Sequence, residues 1–252
     1  MDWTEALDGN KKPPRLIKHF GVDYFQKNGK NGKSPLEHVL KLKNQLDIVI
    51  SSEIMLSRKP SFIYTNTRPN VLKKTLQGGN YHLYEVIPTD SPRKGYIDLD
   101  IDDREDIDFL EFQSDIIKYA GEVFDSKHVC ISGSDAIKND MRRISIHIVL
   151  ADVKYDNHAH MQECNFESGV MIFCEKLGVK PDLSVYSKNR SFKLPIQSKL
   201  KYNRIIDILT EPEICHHWVT CFLHEKCKTT KFAKHIKDIV NFEKNPKFKN
   251  KF

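Results

Sequence analysis

Two stretches in the middle of the chain alternate apolar and polar residues with a period of two, which is typical of half-buried β-strands. In the first, Tyr96–Ile101, Asp98 and Asp100 are separated by one aliphatic residue and therefore project from the same face. In the second, residues 143–150, isoleucines occupy one face of the predicted strand. The polar positions of the second strand are Arg143, Ser145 and His147. Each strand is predicted to bury one side and to present a polar row on the other.

Apolar spacing and punctuation residues predict the remaining elements. Ser34 followed by Pro35 predicts the start of a helix that runs to about Leu46 or beyond. Two further helices are predicted over residues 106–124 and 157–177, and a buried helix over 215–223. Additional strands are predicted over residues 61–65, 81–87 and 128–132, with a strand pair over 185–194. Residues 68–70 indicate a turn, and residues 133–141 a polar loop. This order predicts an α+β fold with a largely antiparallel sheet.

The ends of the chain are richer in polar residues than its middle, and this divides it into three regions. Residues 1–33 are predicted to be a flexible basic arm, with at most a short turn near residues 19–26. Residues 34–227 are predicted to form the core, with an N-terminal module to about residue 90 and a second module over about 91–227. Residues 228–252 are predicted to be a basic tail.

The composition is that of a soluble globular protein, with 252 residues, 39% hydrophobic and 29% charged. No run of eighteen apolar residues is present, and the N-terminus lacks the apolar stretch of a secretory signal, so we expect no membrane association. Six cysteines without a signal peptide indicate reduced thiols in an intracellular protein. Nucleus, cytoplasm and a viral replication site are not distinguished.

Charge is distributed unevenly along the chain. Residues 98–115 hold nine acids and one base, a local net charge of −8 in a chain of net +6, so the rest carries +14. The tail from residue 228 holds eight lysines and two acids, which is +6. A basic body with one acidic segment indicates a polyanionic partner together with a cation site. The alternative interpretation is a solubilising lysine surface and an acidic helix start.

Two of the polar rows carry candidate chemistry. Asp98 and Asp100 lie about 7 Å apart along a strand, a spacing that lets both bind hard cations such as Mg²⁺ or Mn²⁺. Their alternative is a solvated edge strand. Arg143, Ser145 and His147 form a row able to bind phosphate oxygens, or else the exposed side of an ordinary strand. A Ser–His nucleophilic pair is disfavoured, because no strand–turn–helix motif surrounds the serine.

A third candidate segment begins at Asp182 and continues into a basic stretch in which Tyr186 and Phe192 are interleaved with cations. Its cations are Lys188, Arg190, Lys193, Lys199 and Lys201. Such a segment suits binding of a triphosphate or a nucleic-acid backbone beside a metal. A basic surface hairpin is the alternative.

An acid pair, then Ser-x-His, then an acid followed by a basic Asn-Arg stretch is a metal–triphosphate arrangement. In these motifs the chain resembles the archaeo-eukaryotic primase superfamily, and most closely its PrimPol and herpesvirus-primase-like branch. The resemblance covers about residues 60–225. Its most specific part is the run VYSKNRSFKLPIQSK over residues 185–199, and Tyr84–Pro88 is also similar to the PrimPol branch.

The resemblance implies a DNA primase or polymerase that performs template-directed nucleotidyl transfer. It implies that Asp98, Asp100 and Asp182 hold two Mg²⁺ or Mn²⁺ ions. The implied nucleotide contacts are Arg143, Ser145, His147, Arg190 and Lys199, and the implied nucleic-acid contacts are Lys188, Lys193 and Lys201. The implied fold is an RRM-like sheet with a smaller N-terminal α/β module. Single-stranded DNA and nucleoside triphosphates would be its partners, together with a replicative polymerase or helicase; the helicase would be a separate protein or part of a longer polypeptide.

Several alternatives to an active primase remain open. Many relatives carry a zinc module, but the candidate ligands here have the wrong spacing for a compact site, so we expect no zinc. These candidates are Cys215, Cys221, Cys227, His216, His217 and His224. Without that module, the protein could extend primers without starting them, or serve as a non-catalytic nucleic-acid-binding subunit. A metal-dependent nuclease is a further alternative.

Overall fold

The structure is a computed structural model that describes most of the chain. The described residues are 14–19, 22–27, 33–44, 47–56, 59–77, 79, 81–102, 104, 106–138, 140–198, 205–210, 213–220 and 227–232. Within them the chain forms two antiparallel sheets, of six and four strands, and five α-helices. The predicted α+β class with antiparallel sheets is confirmed.

The four-stranded sheet has the order β10-β7-β8-β6. Its strands are β6 (Arg93–Asp102), β7 (Val129–Lys138), β8 (Met141–Tyr155) and β10 (Asp207–Ile208). Helices α3 (Phe109–Phe124), α4 (His158–Glu163) and α5 (Phe166–Leu177) accompany it. The isoleucines of β6 and β8 pack with aromatic side chains of α3 and α5 in the largest hydrophobic core, because the period-two pattern turns them all to one face.

The six-stranded sheet has the order β1-β2-β4-β3-β5-β9. Its strands are β1 (Arg15–His19), β2 (Val22–Gln26), β3 (Ile48–Leu56), β4 (Lys59–Thr67), β5 (Leu83–Ile87) and β9 (Arg190–Lys193). Helix α1 (Pro35–Leu42) packs on Val49 and Val86, whereas α2 (Pro69–Gln77) packs on the alternate positions Ile48 and Ile50. Consecutive strand residues point to opposite faces, so the two helices cover opposite sides of this sheet.

Local chemistry explains where the helices begin and where one is interrupted. Ser34 caps α1 by accepting the backbone N–H of Glu37, and Asp108 caps α3 by accepting those of the two residues at positions 110 and 111. The helix predicted over 157–177 is divided into α4 and α5 by Asn165, which adopts a left-handed conformation at φ 53°. Asparagine is among the few residues that tolerate this conformation.

Several boundaries differ from the sequence predictions. The predicted flexible arm contains the paired strands β1 and β2, although residues 1–13 lie outside the described part. The first helix ends at Leu42, and the apolar residues beyond it form β3. The predicted turn at 68–70 is the start of α2. The polar loop predicted over 133–141 is mostly strand, since β7 continues to Lys138.

The C-terminal half also differs in two places. Residues 183–186 form a 3₁₀ turn and only β9 is a strand, so the predicted pair over 185–194 is wrong. Residues 214–217 likewise form a short 3₁₀ turn within the predicted buried helix. The predicted tail begins with residues packed on the core, because Lys228 bridges to Val153 and Phe232 contacts Phe124. The rest of the predicted tail lies outside the described residues.

None of the described helices is long and apolar enough to cross a membrane.

Candidate active site

The two polar rows predicted from the sequence lie side by side on the four-stranded sheet. Strands β6 and β8 pair so that Asp98 is directly opposite His147, and Asp100 is directly opposite Ser145. Side chains of opposite residues in an antiparallel pair share one face. The Asp98 carboxylate lies 3.5 Å from Nε2 of His147. The first two motifs, which are more than forty residues apart in sequence, therefore lie on one face of the sheet.

The third motif runs along the free edge of β6. The backbone N–H of Asp182 donates to the carbonyl of Asp98 at 3.1 Å. Further along, the hydroxyl of Tyr186 donates to the carbonyl of Tyr96 at 2.6 Å. The hydroxyl of Tyr96 in turn donates to the carbonyl of Val185 at 3.0 Å. Burial raises the pKa of both tyrosines, so they stay protonated and keep donating. Asp182 is thus fixed next to Asp98 by the backbone.

The imidazole of His147 is held by the neighbouring sheet. Its Nδ1 lies 3.0 Å from the carbonyl of Lys193, and its ring lies 4.3 Å from that of Phe192, both on β9. A carbonyl only accepts, so Nδ1 carries a proton and donates, which leaves Nε2 toward Asp98. With a side chain only 6% exposed, His147 has a fixed ring orientation.

The two arginines of the predicted site approach it from different strands. Arg143 lies opposite Asp102 on β6 and forms an ion pair with it at 3.5 Å. Arg190 begins β9 and donates to the hydroxyl of Ser184 at 3.3 Å. Between Asp182 and Arg190 the loop is anchored by Asn189, whose side-chain oxygen accepts from the N–H and the hydroxyl of Thr89. Both guanidinium groups are partly exposed, so they remain accessible to an anion.

The predicted lysines are placed less uniformly. Lys188 is exposed in the loop before β9, whereas Lys193 is only 6% exposed. The Lys193 side chain is therefore largely shielded from solvent, and its backbone carbonyl contacts Nδ1 of His147. Lys199 and Lys201 lie outside the described residues.

The acids of this surface suit a hard divalent cation by their chemistry, because carboxylate oxygens are the preferred ligands of Mg²⁺ and Mn²⁺. Among the described residues, no three His, Cys, Asp or Glu side chains are grouped tightly enough to hold a metal ion as they stand. One carboxylate oxygen of Asp182 accepts the backbone N–H of Ser184, so this side chain caps the 3₁₀ turn over residues 183–186. The backbones of Asp98 and Asp182 are joined by a hydrogen bond, and Asp100 follows two residues later on β6.

The candidate zinc ligands lie elsewhere, near the described C-terminus, and Cys221 and His224 fall outside the described residues. His217 is buried, and its Nε2 contacts the carbonyl of Thr210 at 3.0 Å. Cys227 lies against the carbonyl of Ala151. These neighbours are backbone carbonyls, which place two of the candidates in packing roles.

Two features of this surface were missed by the sequence reasoning. Ser132 and Ser134 on β7 lie opposite His147 and Ser145, so they extend the polar rows onto a third strand. Their alternation around Gly133 was a usable signal, but the strand was predicted to end at Ser132. The second feature is the ring of Phe192, which packs on that of His147 across the two sheets. Neither strand's own sequence predicts this contact.

Neither a protein-family model nor a curated protein sequence matches the chain.

Proposed function

We propose that the chain is a DNA primase or polymerase, a metal-dependent enzyme that adds nucleotides to a primer, or starts one, on single-stranded DNA. The observation that carries the proposal is that three separate motifs meet at one part of the four-stranded sheet, two on its polar face and the third at the free edge of β6. Asp98 faces His147, Asp100 faces Ser145, and the backbone of Asp182 binds that of Asp98. An accidental match to short motifs would leave them scattered over the fold.

The pairing of β5 with β9 is a second, independent support. The two runs most similar to the PrimPol branch, Tyr84–Pro88 and residues 185–199, are about a hundred residues apart. They meet in the fold, because Tyr84 lies opposite Lys193 and Ile87 lies opposite Arg190. Both runs therefore belong to one structural unit beside the acids.

The strand order also favours an RRM-like catalytic sheet. Such a sheet follows the order β-α-β-β-α-β, with the first strand at the centre. Here β6, α3, β7, β8 and α5 occur in this order, with β6 next to β8. The position of the last strand, beside β6, is taken by the segment from Asp182 to Tyr186. The six-stranded sheet with α1 and α2 would be the N-terminal module.

The proposed chemistry follows from the donors and acceptors of this face. Asp98, Asp100 and Asp182 would hold Mg²⁺ or Mn²⁺, which would assist the attacking 3′-hydroxyl and neutralise the leaving pyrophosphate. Ser145 would donate to phosphate oxygens, and His147, on the same face, would do so through Nε2 when its ring carries a proton on both nitrogens. Arg143 would exchange its exposed partner Asp102 for the triphosphate, since an arginine–phosphate pair is charge-assisted.

The experiment is a nucleotide-incorporation assay on single-stranded DNA, with and without a primer, in Mg²⁺ or Mn²⁺. It compares the wild type with Asp98→Ala/Asp100→Ala and with Asp207→Ala, an exposed acid of the same sheet. We expect products with the wild type and Asp207→Ala and none with the double variant. Products that need a primer would define an extension-only enzyme.

Two outcomes would overturn the proposal. Strand binding without incorporation in any variant would indicate a non-catalytic subunit. Degradation of labelled DNA without added nucleotides, lost in the double variant, would indicate a nuclease.

A further inference from the structure

The polar face of the four-stranded sheet is wider than its recognised motifs. Strand β7 continues both rows, with Ser132 beside His147 and Ser134 beside Ser145. Adjacent strands lie about 4.8 Å apart, so Ser134 is about 10 Å from Asp100 across Ser145. Neither serine of β7 belongs to a motif that suggested the function.

The hydroxyl of Ser134 stands out because it is buried without a hydrogen-bond partner. The residue is 7% exposed, and its Oγ has no partner among the described residues. A buried hydroxyl that makes no hydrogen bond is costly, so native structures seldom keep one without a use. Ser134 faces the same side as the candidate site, which places this unused donor where a ligand would bind.

The approach of β7 to β8 at this point depends on Gly133. A Cβ at that position would lie 2.8 Å from the backbone oxygen of Ser145, a distance that real Cβ atoms do not adopt. Any other residue at Gly133 would push β7 away from β8 next to the pair formed by Ser134 and Ser145. The local sequence therefore holds the two hydroxyls at neighbouring positions of one row.

On the face of Ser134, β8 also carries a cation, whose partner Asp102 would be exchanged for an anionic ligand. Arg143 lies two residues from Ser145 on β8, on the same face and opposite Ala136 of β7. Ser145, Arg143 and Ser134 thus present two hydroxyls and a cation to the same region. A phosphate group accepts from such a set, because hydrogen bonds to a charged acceptor are stronger than neutral ones.

We infer that Ser134 is a further nucleotide-binding residue, whose hydroxyl, two strands away from the acids, donates to an oxygen of the β- or γ-phosphate of the bound nucleoside triphosphate. The inference rests on the proposed function, and it extends the triphosphate site from β6 and β8 onto β7. Ser134 takes no part in bond making, so its loss weakens binding of the nucleotide and leaves the chemical step intact.

The test compares Ser134→Ala and Ser134→Thr with the wild type. The matched control is Ser52→Ala, a buried serine whose hydroxyl already donates to the carbonyl of Tyr81 at 2.9 Å. Binding of dATP and dAMP in Mn²⁺ is measured by calorimetry, and KM and kcat by primer extension. Thermal unfolding without ligand reports the stability of each variant.

We expect Ser134→Ala to weaken dATP binding and raise KM about tenfold, the size of one charge-assisted hydrogen bond. Affinity for dAMP and kcat should change less than twofold, and Ser134→Thr should retain the wild-type KM. Without ligand, Ser134→Ala should be as stable as the wild type or more so, since it removes an unsatisfied hydroxyl. Ser52→Ala should lose stability and keep its KM.

Unchanged dATP affinity in Ser134→Ala, or an equal loss for dATP and dAMP, would overturn the inference while leaving the proposed function intact. A wild type that neither binds dATP nor extends primers would instead refute the proposed function itself.

Discussion

Replacing Asp100 by Asn should reverse the order of stability between variant and wild type when a divalent cation is added. Asp100 is exposed, and the like-charged Asp98 and Asp102 each lie about 7 Å away along β6. At that distance two charges repel by about 0.6 kcal/mol in water. Arg143, paired with Asp102, offsets one of the two repulsions. Without metal, Asp100→Asn should therefore be about 0.6 kcal/mol more stable, which is about 1–2 °C in Tm.

The cation should change the sign of this difference. An ion at a hundred times its Kd stabilises the folded state by about 2.7 kcal/mol, and a tenfold weaker site leaves about 1.4 kcal/mol. Thermal unfolding with increasing Mn²⁺ should show the wild type overtaking the variant. Asp207→Asn serves as the control, since Asp207 is an exposed acid of the same sheet but lies opposite Gly133, away from the polar rows.

The reasoning would be refuted by an equal Mn²⁺-dependent rise in Tm for Asp100→Asn and the wild type. A metal-free variant that is less stable than the wild type would refute the electrostatic part separately. In that case Asp100 would be stabilised by its neighbours rather than repelled by them.

Three further predictions concern residues around the site. Burial and two nearby cations lower the pKa of His158, so the folded state disfavours its protonation. The free energy of unfolding should therefore fall as the pH drops below about 6.5, and urea titrations should show a smaller fall for His158→Leu. Phe192→Leu should lower kcat about tenfold in primer extension at a stability cost of about 1 kcal/mol, because the ring that orients His147 is lost. Glu85→Gln should cost about 3–5 kcal/mol in urea unfolding, since the amide cannot accept every N–H that the buried carboxylate binds; a cost below 1 kcal/mol would contradict this.

The parts of the fold that could be predicted from the sequence are those with strong periodicity. Tyr96–Ile101 and residues 143–150 alternate cleanly, and both lie within observed strands of one sheet. The capped helix starting after Ser34 also follows its local signal. The apolar stretch at 48–50 could be read as an extension of this helix, and only its pairing with β4 and β5 selects the strand. A short apolar run does not distinguish the helical period of 3.6 residues from the strand period of two.

The site divides in the same way. Which residues share a face follows from alternation within one strand, so the acid pair and the Ser-x-His row were accessible from the sequence. Which rows face each other depends on the register between β6 and β8, which local sequence does not encode. The sequence predicts a loop that begins at Gly133, because glycine and polar residues are frequent in loops. In the fold this segment is a strand, because it pairs with β8 and the missing Cβ of Gly133 allows the close approach to the backbone of Ser145.

The two sheets contribute unequally to the site, and this has a consequence for how it can fail. The acids and the Ser-x-His row belong to the four-stranded sheet, whereas the backbone carbonyl and the aromatic ring that fix His147 belong to β9 of the six-stranded sheet. Among the described strands, β9 pairs with β5 and with no other. Substitutions that weaken the pairing of β5 with β9 should therefore release the imidazole without disturbing a single acid. The orientation of the candidate site's imidazole therefore depends on a strand pair that contains none of the three motif acids.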